Sequence, residues 1–358
     1  MAPCPAQRMT RPRALPCGNT VRRRALDTGH WPREPARVRG VSSPLASDEY
    51  PSHIISVVTS VVVASFRERY VLDACLASLL PQCAGAGIEL IVARADHLPA
   101  LAALAREYPG VRVVPLPAGT DIPQLRGAGL AIASGQIVAL TEDHCVADAN
   151  WVAIFANYAD RPVDVVGGGM DNARTNRALD WGAFFAEYGF FSAVSTRLPQ
   201  AVGTTLLLTG ANVAYSRRVL ADVVAWTTDG AWENIVHDRL RQSGATMVFE
   251  PAARVGQNLT YAFAAFCADR FRHGHDYARV RLAESAGVNR WLRAAATLAL
   301  PLLLTWRVGR TAVGSTRRAI AFARALPFTV AFLTAWATGE AVGYLRGPSV
   351  APQQSRTS

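Results

Sequence analysis

From residue 54 the chain alternates between short apolar runs and helical stripes, and that alternation admits few architectures. IISVVTSVVVAS (54–65) is β-branched and almost continuously apolar, as a strand buried on both faces of a parallel sheet should be. Val71, Leu72, Cys75, Leu76, Leu79 and Leu80 follow as a helical stripe that Pro81 should end. IELIVA (88–93), VRVVPL (111–116) and QIVAL (136–140) read as further strands. Helices through Leu98, Leu101 and Leu104, and over 123–134, separate them. The pattern predicts an α/β domain around a mainly parallel central sheet with right-handed crossovers. Ligands of such sheets sit beyond the carboxyl ends of the strands, so residues 65–68, 94–97 and 141–145 should converge.

The second half is less regular. DVVGG (164–168), LLLTGANVAYS (206–216) and ATMVFEP (245–251) look like strands, and 258–284 could be one long helix. The aromatic-rich stretch at 170–205 carries no readable period.

Charge is distributed unevenly. All 37 basic residues are arginine, and the net charge is +10. Residues 1–50 hold nine Arg against four acids, and 286–346 hold eight against Glu340 alone. The central 51–285 block is slightly acidic, with 19 Arg and 22 acids, which argues against a nucleic-acid reader. The six cysteines form no CxxC pair, so neither a disulfide framework nor a zinc site is expected. Residues 1–52 lack periodicity and read as a disordered basic arm, and 347–358 as a disordered C-terminus.

Between them, 286–346 contain two uncharged apolar segments, AAATLALPLLLTW (294–306) and ALPFTVAFLTAWATG (325–339), with arginines between. Thirteen helical residues rise about 20 Å, short of a bilayer core of roughly 30 Å. In-plane or re-entrant helices at the cytoplasmic face of a membrane suit this pattern, and a pair of buried helices capping the domain is the other reading.

Three segments carry candidate chemistry. TEDHC (141–145) follows a strand directly, and adjacent carboxylates beside a His suit a hard divalent cation with open positions for phosphate oxygens. AWENIVHDRLRQSGA (231–245) puts Glu233 at a helix start, where a carboxylate is also an ordinary dipole partner. DRFRHGHDYARVR (269–281) clusters arginines that could grip a diphosphate, or be a solvated face. No P-loop or GxGxxG fingerprint follows any strand.

Taken in order, the segments over 54–285 resemble glycosyltransferase family 2, enzymes with the GT-A-type nucleotide-sugar fold. VVVASFRER (61–69) looks like the family's opening strand and nucleotide loop. PQLRGAGLAIASGQIVALTEDHC (123–145) is similar to the stretch leading to its DXD metal motif, and LTGANVAYSRRVL (208–220) to its acceptor-side segment. WENIVHDRLRQSGATMVFEPAARV (232–255) resembles the helix and strand that carry the catalytic base, and WATGEAVGYLRG (336–347) a membrane-associated tail. Thr141 stands at the first DXD aspartate, Arg94 near the nucleobase aspartate, Asn234 in the ED pair, and Gly256-Gln257 where a His is expected.

The resemblance implies a GT-A-like domain over 53–285 and a membrane-associated tail over 286–346. It implies inverting transfer from a nucleotide-diphosphate sugar to a hydroxyl acceptor, lipid-linked or part of a cell-envelope glycan. Glu233 would be the general base, and Glu142, Asp143 and His144 would hold Mg2+ or Mn2+. Ser65, Phe66, Arg67, Asp96, Arg126, Arg270 and Arg272 would bind the nucleotide sugar, and Gly210 and Asn212 the acceptor. A sugar nucleotidyltransferase and a catalytically inactive nucleotide-sugar-binding membrane protein are the rival readings.

Overall fold

Strand β1 (Thr59–Ser65) is buried at all seven positions, as its unbroken apolar run requires. The computed structural model describes residues 59–84, 88–173, 177–191, 203–205, 208–284 and 289–347; the expected arm at 1–52 and most of the C-terminus at 347–358 lie outside them. After β1 come α1 (Arg69–Cys83), β2 (Glu89–Ala95), α2 (Leu98–Glu107), β3 (Val111–Leu116), α3 (Ile122–Ile132) and β4 (Ile137–Glu142). Pro81 does not end α1 but sits in its last turn, where a missing N–H costs a single bond. Asp121 caps α3 by accepting from the Gln124 N–H at 2.9 Å.

The remaining elements are β5 (Cys145–Ala147), α4 (Trp151–Ala156), β6 (Val165–Asn172), α5 (Ala178–Tyr188), β7 (Gly203–Thr204), β8 (Asn212–Ser216), α6 (Arg217–Thr228), α7 (Glu233–Gln242), β9 (Met247–Gln257), α8 (Phe263–Glu284), α9 (Arg290–Ala296), α10 (Leu300–Ala312) and α11 (Thr316–Arg346). The sheet runs β3-β2-β1-β4-β8-β6-β9-β5, with β7 on β9. The first four strands are parallel, β8 is antiparallel to both neighbours, and β6 and β9 are parallel again. Alternate residues feed two cores: Val61 and Val63 face α1, α4 and α5, while Val62 faces α3 and α6. Within the aromatic stretch at 170–205, of which 174–176 and 192–202 lie outside the described residues, α5 buries Trp181, Phe184, Phe185 and Tyr188, so no polar face marks its period.

The tail packs against the rest of the domain. Its two apolar segments are α9–α10 and the single helix α11, which runs through Pro327. The expected boundary at 285 falls between α8 and α11, which pack together. Phe266 and Phe332 meet edge to face at 4.6 Å. A Cβ on Gly339 would lie 2.0 Å from the Phe271 carbonyl oxygen, and one on Gly274 would lie 2.2 Å from that of Trp336. Backbones this close tolerate only glycine. Gly339→Val should therefore lower stability by about 1–3 kcal/mol or more through overpacking, read as a lower denaturant midpoint. An unchanged midpoint would mean that α11 is not part of the folded unit.

Candidate active site

The expected convergence of strand ends occurs. Asp143, just past β4, is fully buried, and its Oδ2 accepts from Ser65 Oγ at 3.0 Å and from the Phe66 and Arg67 N–H groups at 2.7 Å each. Arg94, at the end of β2, donates from Nη1 to Ser65 Oγ at 2.6 Å and to the Arg67 carbonyl at 2.9 Å. Its Nε and Nη2 hold Asp96 Oδ2 at 3.0 and 2.8 Å, while His97 holds Oδ1 through its N–H at 2.9 Å and its ring at 2.6 Å. Those four contacts fill the lone-pair sites of the Asp96 carboxylate. Asp96, expected to meet the nucleobase, is thus held by Arg94 and His97.

Arg126, buried on α3, joins three segments far apart in sequence. Its Nη1 donates to Glu233 Oε2 at 2.7 Å, and its Nη2 forms a very short contact with Glu142 Oε1. Nη1 and Nη2 each donate to a carboxylate, so Arg126, expected to contact phosphate, clamps Glu142 and Glu233 here. The Trp232 ring lies 5.9 Å from the guanidinium. Gly210 lies against it as well: a Cβ there would sit 2.6 Å from Nη1. Gly210 thus makes room for Arg126 instead of facing an acceptor. Glu233 opens α7, whose buried Val236, His237 and Leu240 fix that helix and turn Glu233 inward. Burial alone would raise the Glu233 pKa, but the Arg126 guanidinium outweighs it and holds the carboxyl below the usual glutamate range. His237 accepts or donates at 2.9 Å with the Tyr215 hydroxyl, and burial lowers its pKa to about 4, so it is neutral.

The family model described as glycosyl transferase family 2 matches residues 60–224. That segment is similar to family 2 glycosyl transferases. The fold also resembles two solved structures. One is the mannosyltransferase PcManGT from Pyrobaculum calidifontis in complex with GDP-Man and Mn2+, at 17% identity and a TM-score of 0.46, over 79% of this chain and 86% of that one. The other is GalNAc-T7 with UDP, GalNAc and Mn2+, at 17% identity and a TM-score of 0.41, over 56% of this chain and 44% of that one. No curated protein matches the sequence.

The matched segment ends before Glu233, and α7, β9, α8 and α11 contribute the other side chains of the candidate site. Thr141, in place of an acidic residue, donates to the Ala211 carbonyl at 2.9 Å and ties β4 to the loop before β8. Asn212, expected to face the acceptor, is fully buried. It accepts from Trp151 Nε1 at 2.8 Å and donates to the Gly169 and Ala253 carbonyls at 3.0 and 2.9 Å, so it is a lock inside the sheet. Arg270 on α8 is buried, with Nη1 3.5 Å from Glu187 Oε1 and the Trp336 ring 4.6 Å away. Burial lowers its pKa against the pull of Glu187. Arg67 also feels Glu187, Tyr188 and Tyr261, and the Nε of each arginine is buried without a hydrogen-bond partner. Arg272, by contrast, points outward and pairs with Asp269. Gln257, near the expected His, donates to the Tyr261 hydroxyl at 2.7 Å. Sequence reasoning assigned no site role to Arg94, Glu187, Tyr188, Tyr261, Gln257 and Trp336, although Arg94, Gln257 and Trp336 stood at or beside motif positions.

Among the described residues no three His, Cys, Asp or Glu side chains converge as a complete metal cage. The acidic pair nevertheless offers part of one. Asp143 Oδ1 and His144 Nδ1 are buried without hydrogen-bond partners, 3.9 Å apart, and Glu142 Oε2 lies 3.4 Å from that same nitrogen. His144 Nε2 contacts the Tyr188 hydroxyl at 3.1 Å, and Phe66 stands edge-on to its ring. Burial opposes charge on His144, but the neighbouring Cys145, Asp143 and Glu142 outweigh it and raise the pKa.

Proposed function

We propose that the chain is an inverting glycosyltransferase, moving a sugar from a nucleotide-diphosphate sugar to a hydroxyl acceptor in one in-line displacement. The observation that carries this reading is Glu233, with its side chain 27% exposed, clamped by Arg126 beside the acidic end of β4. Glu233 takes the acceptor proton as the new bond to the anomeric carbon forms and the bond to the diphosphate breaks. Glu233 is ionised at neutral pH, as taking that proton requires. Ser65, Phe66 and Arg67 line the nucleotide side, and Arg67 and Arg270 neutralise the departing diphosphate.

Glu142, Asp143 and the adjacent His144 suit Mg2+ or Mn2+ as a partial site whose other ligands are phosphate oxygens and water. Bound there, the ion supplies charge neutralisation at the diphosphate. The acceptor is lipid-linked or a cell-envelope glycan met at the cytoplasmic face of a membrane, a reading supported by the arginine-rich, apolar outer face of residues 286–346.

The test is a screen of nucleotide sugars with Mn2+ or Mg2+. One donor should raise the melting temperature, with about 2.7 kcal/mol of stabilisation at a hundredfold excess over Kd, and transfer should release a nucleoside diphosphate. Release of pyrophosphate would instead identify a nucleotidyltransferase. Stabilisation without turnover across many acceptors would identify a binding protein. No shift with any donor, together with no transfer, would sink the enzyme reading.

A further inference from the structure

We propose that α10, the turn preceding it and the outer face of α11 form an in-plane docking surface for an anionic lipid bilayer, and that α11 does not cross that bilayer. The inference deepens the membrane reading of the tail and is independent of the chemistry assigned to Glu233.

By length and composition α11 could span a membrane, and it is the one such helix among the described residues. The packing of its inner face argues against it. One face is fixed to α8 through Gly339 and Phe332, and to α5, where a Cβ on Gly182 would lie 2.5 Å from Phe328 Cβ. Arg318, near its start, is buried and donates to Asp171 on β6 at 2.7 Å. Glu340, near its end, is buried and accepts from Trp336 Nε1 at 3.1 Å and from the Tyr344 hydroxyl at 2.9 Å. A spanning α11 would carry the exposed Asp269 and Asp276 of α8 to hydrocarbon depth, where charges are costly.

The opposite side of the tail is unpartnered and apolar. Leu298, Leu302 and Trp306 recur every fourth residue and are 82%, 78% and 56% exposed. Trp291, Val313 and Ile320 are exposed as well. Arginines frame this surface: Arg310 lies 5.0 Å from the Trp306 ring and Arg290 5.3 Å from that of Trp291. Large apolar side chains rimmed by Trp and Arg suit an interfacial helix.

The charge selects the occupant. Residues 286–346 carry eight arginines, and their single acid, Glu340, is buried. A second copy of the chain would meet this surface with the same positive charge, whereas anionic headgroups are complementary to it. A cavity of about 410 Å³ between α5 and α11, lined by Trp181, Ile320, Arg317 and Arg324, offers one headgroup an apolar wall and two guanidinium groups. None of the residues assigned to the catalytic cluster lines it. The same helix reaches the catalytic side through Trp336 under Arg270, so docking would set the site's basic end at a fixed height above the bilayer.

The experiment is co-sedimentation of the full chain with vesicles of phosphatidylcholine alone and of equal parts phosphatidylcholine and phosphatidylglycerol. Binding is expected only to the anionic vesicles, weakening with salt, and fully released by alkaline carbonate. The double variant Leu302→Asp/Trp306→Asp should lower partitioning roughly tenfold or more, since each buried large apolar side chain is worth about that much. The arginine-rich first 50 residues are identical in both proteins, so they cannot produce the difference. Nucleotide-sugar stabilisation, read on the same samples, should be unaltered by the variant, and its absence from both proteins would concern the nucleotide-sugar reading of the site and not the docking surface. Equal binding by both proteins, retention after carbonate, or a lipid-free dimer that the variant dissociates would each overturn the proposal.

Discussion

Arg126→Met should lower stability by about 3–5 kcal/mol, the usual result of removing one partner from a buried charge cluster. The wild-type guanidinium is 5% exposed and separates Glu142 from Glu233. Methionine fills the volume but leaves the two carboxylates facing one another without a cation. Denaturant unfolding would measure the loss, and Arg126→Met/Glu142→Gln should recover part of it by removing one of the opposed charges. The pH dependence gives an independent sign. In the wild type the folded pKa of Glu233 is depressed, so its contribution is present above the unfolded value and lost as pH falls through the folded one. In Arg126→Met acidification should instead stabilise, because protonation relieves the repulsion. If Arg126 served only as a donor ligand, the variant would keep its stability and lose affinity for nucleotide sugar alone.

The fold was legible where one periodicity dominated. VRVVPL (111–116) is β3 to the residue, and the helix expected over 123–134 is α3 at Ile122–Ile132. Legibility failed where burial was all-round, as in α5, because a helix without a polar face has no stripe to read. It also failed in the tail, where the apolar segment read at 325–339 is part of the longer helix α11, whose inner face α8 and α5 hold.

The site followed a similar logic. Ser65, Phe66, Arg67, Arg126, Glu142, Asp143 and Glu233 came together because motif order reports which strand ends carry them. Which atoms remain available was not readable. Asp96 is saturated by Arg94 and His97, and Asn212 by Trp151 and two carbonyls; the partners of Asn212 lie 41 to 61 residues away in sequence. A motif places a side chain near a site, and only packing decides whether its lone pairs are still free.

Glu233→Gln should cut transfer by a hundredfold to ten-thousandfold, the range that a positioned general base contributes. The substitution keeps the shape and keeps an oxygen that can accept from Arg126, while Arg126 still pairs with Glu142, so folding should change little. Donor stabilisation should also persist, because Glu233 acts on the acceptor hydroxyl and not on the nucleotide. That separates the outcome from Arg126→Met, where both stability and transfer fall. The wild-type rate should decline on acidification only below the ordinary glutamate range, since Arg126 holds the base ionised, and this acidic limb should vanish in the variant. Glu233→Asp, which retains a carboxylate but withdraws it by one methylene, should recover part of the rate with the limb restored. Full transfer by a folded Glu233→Gln would remove Glu233 from the reaction and return it to the role of a helix-start carboxylate pinned by an arginine.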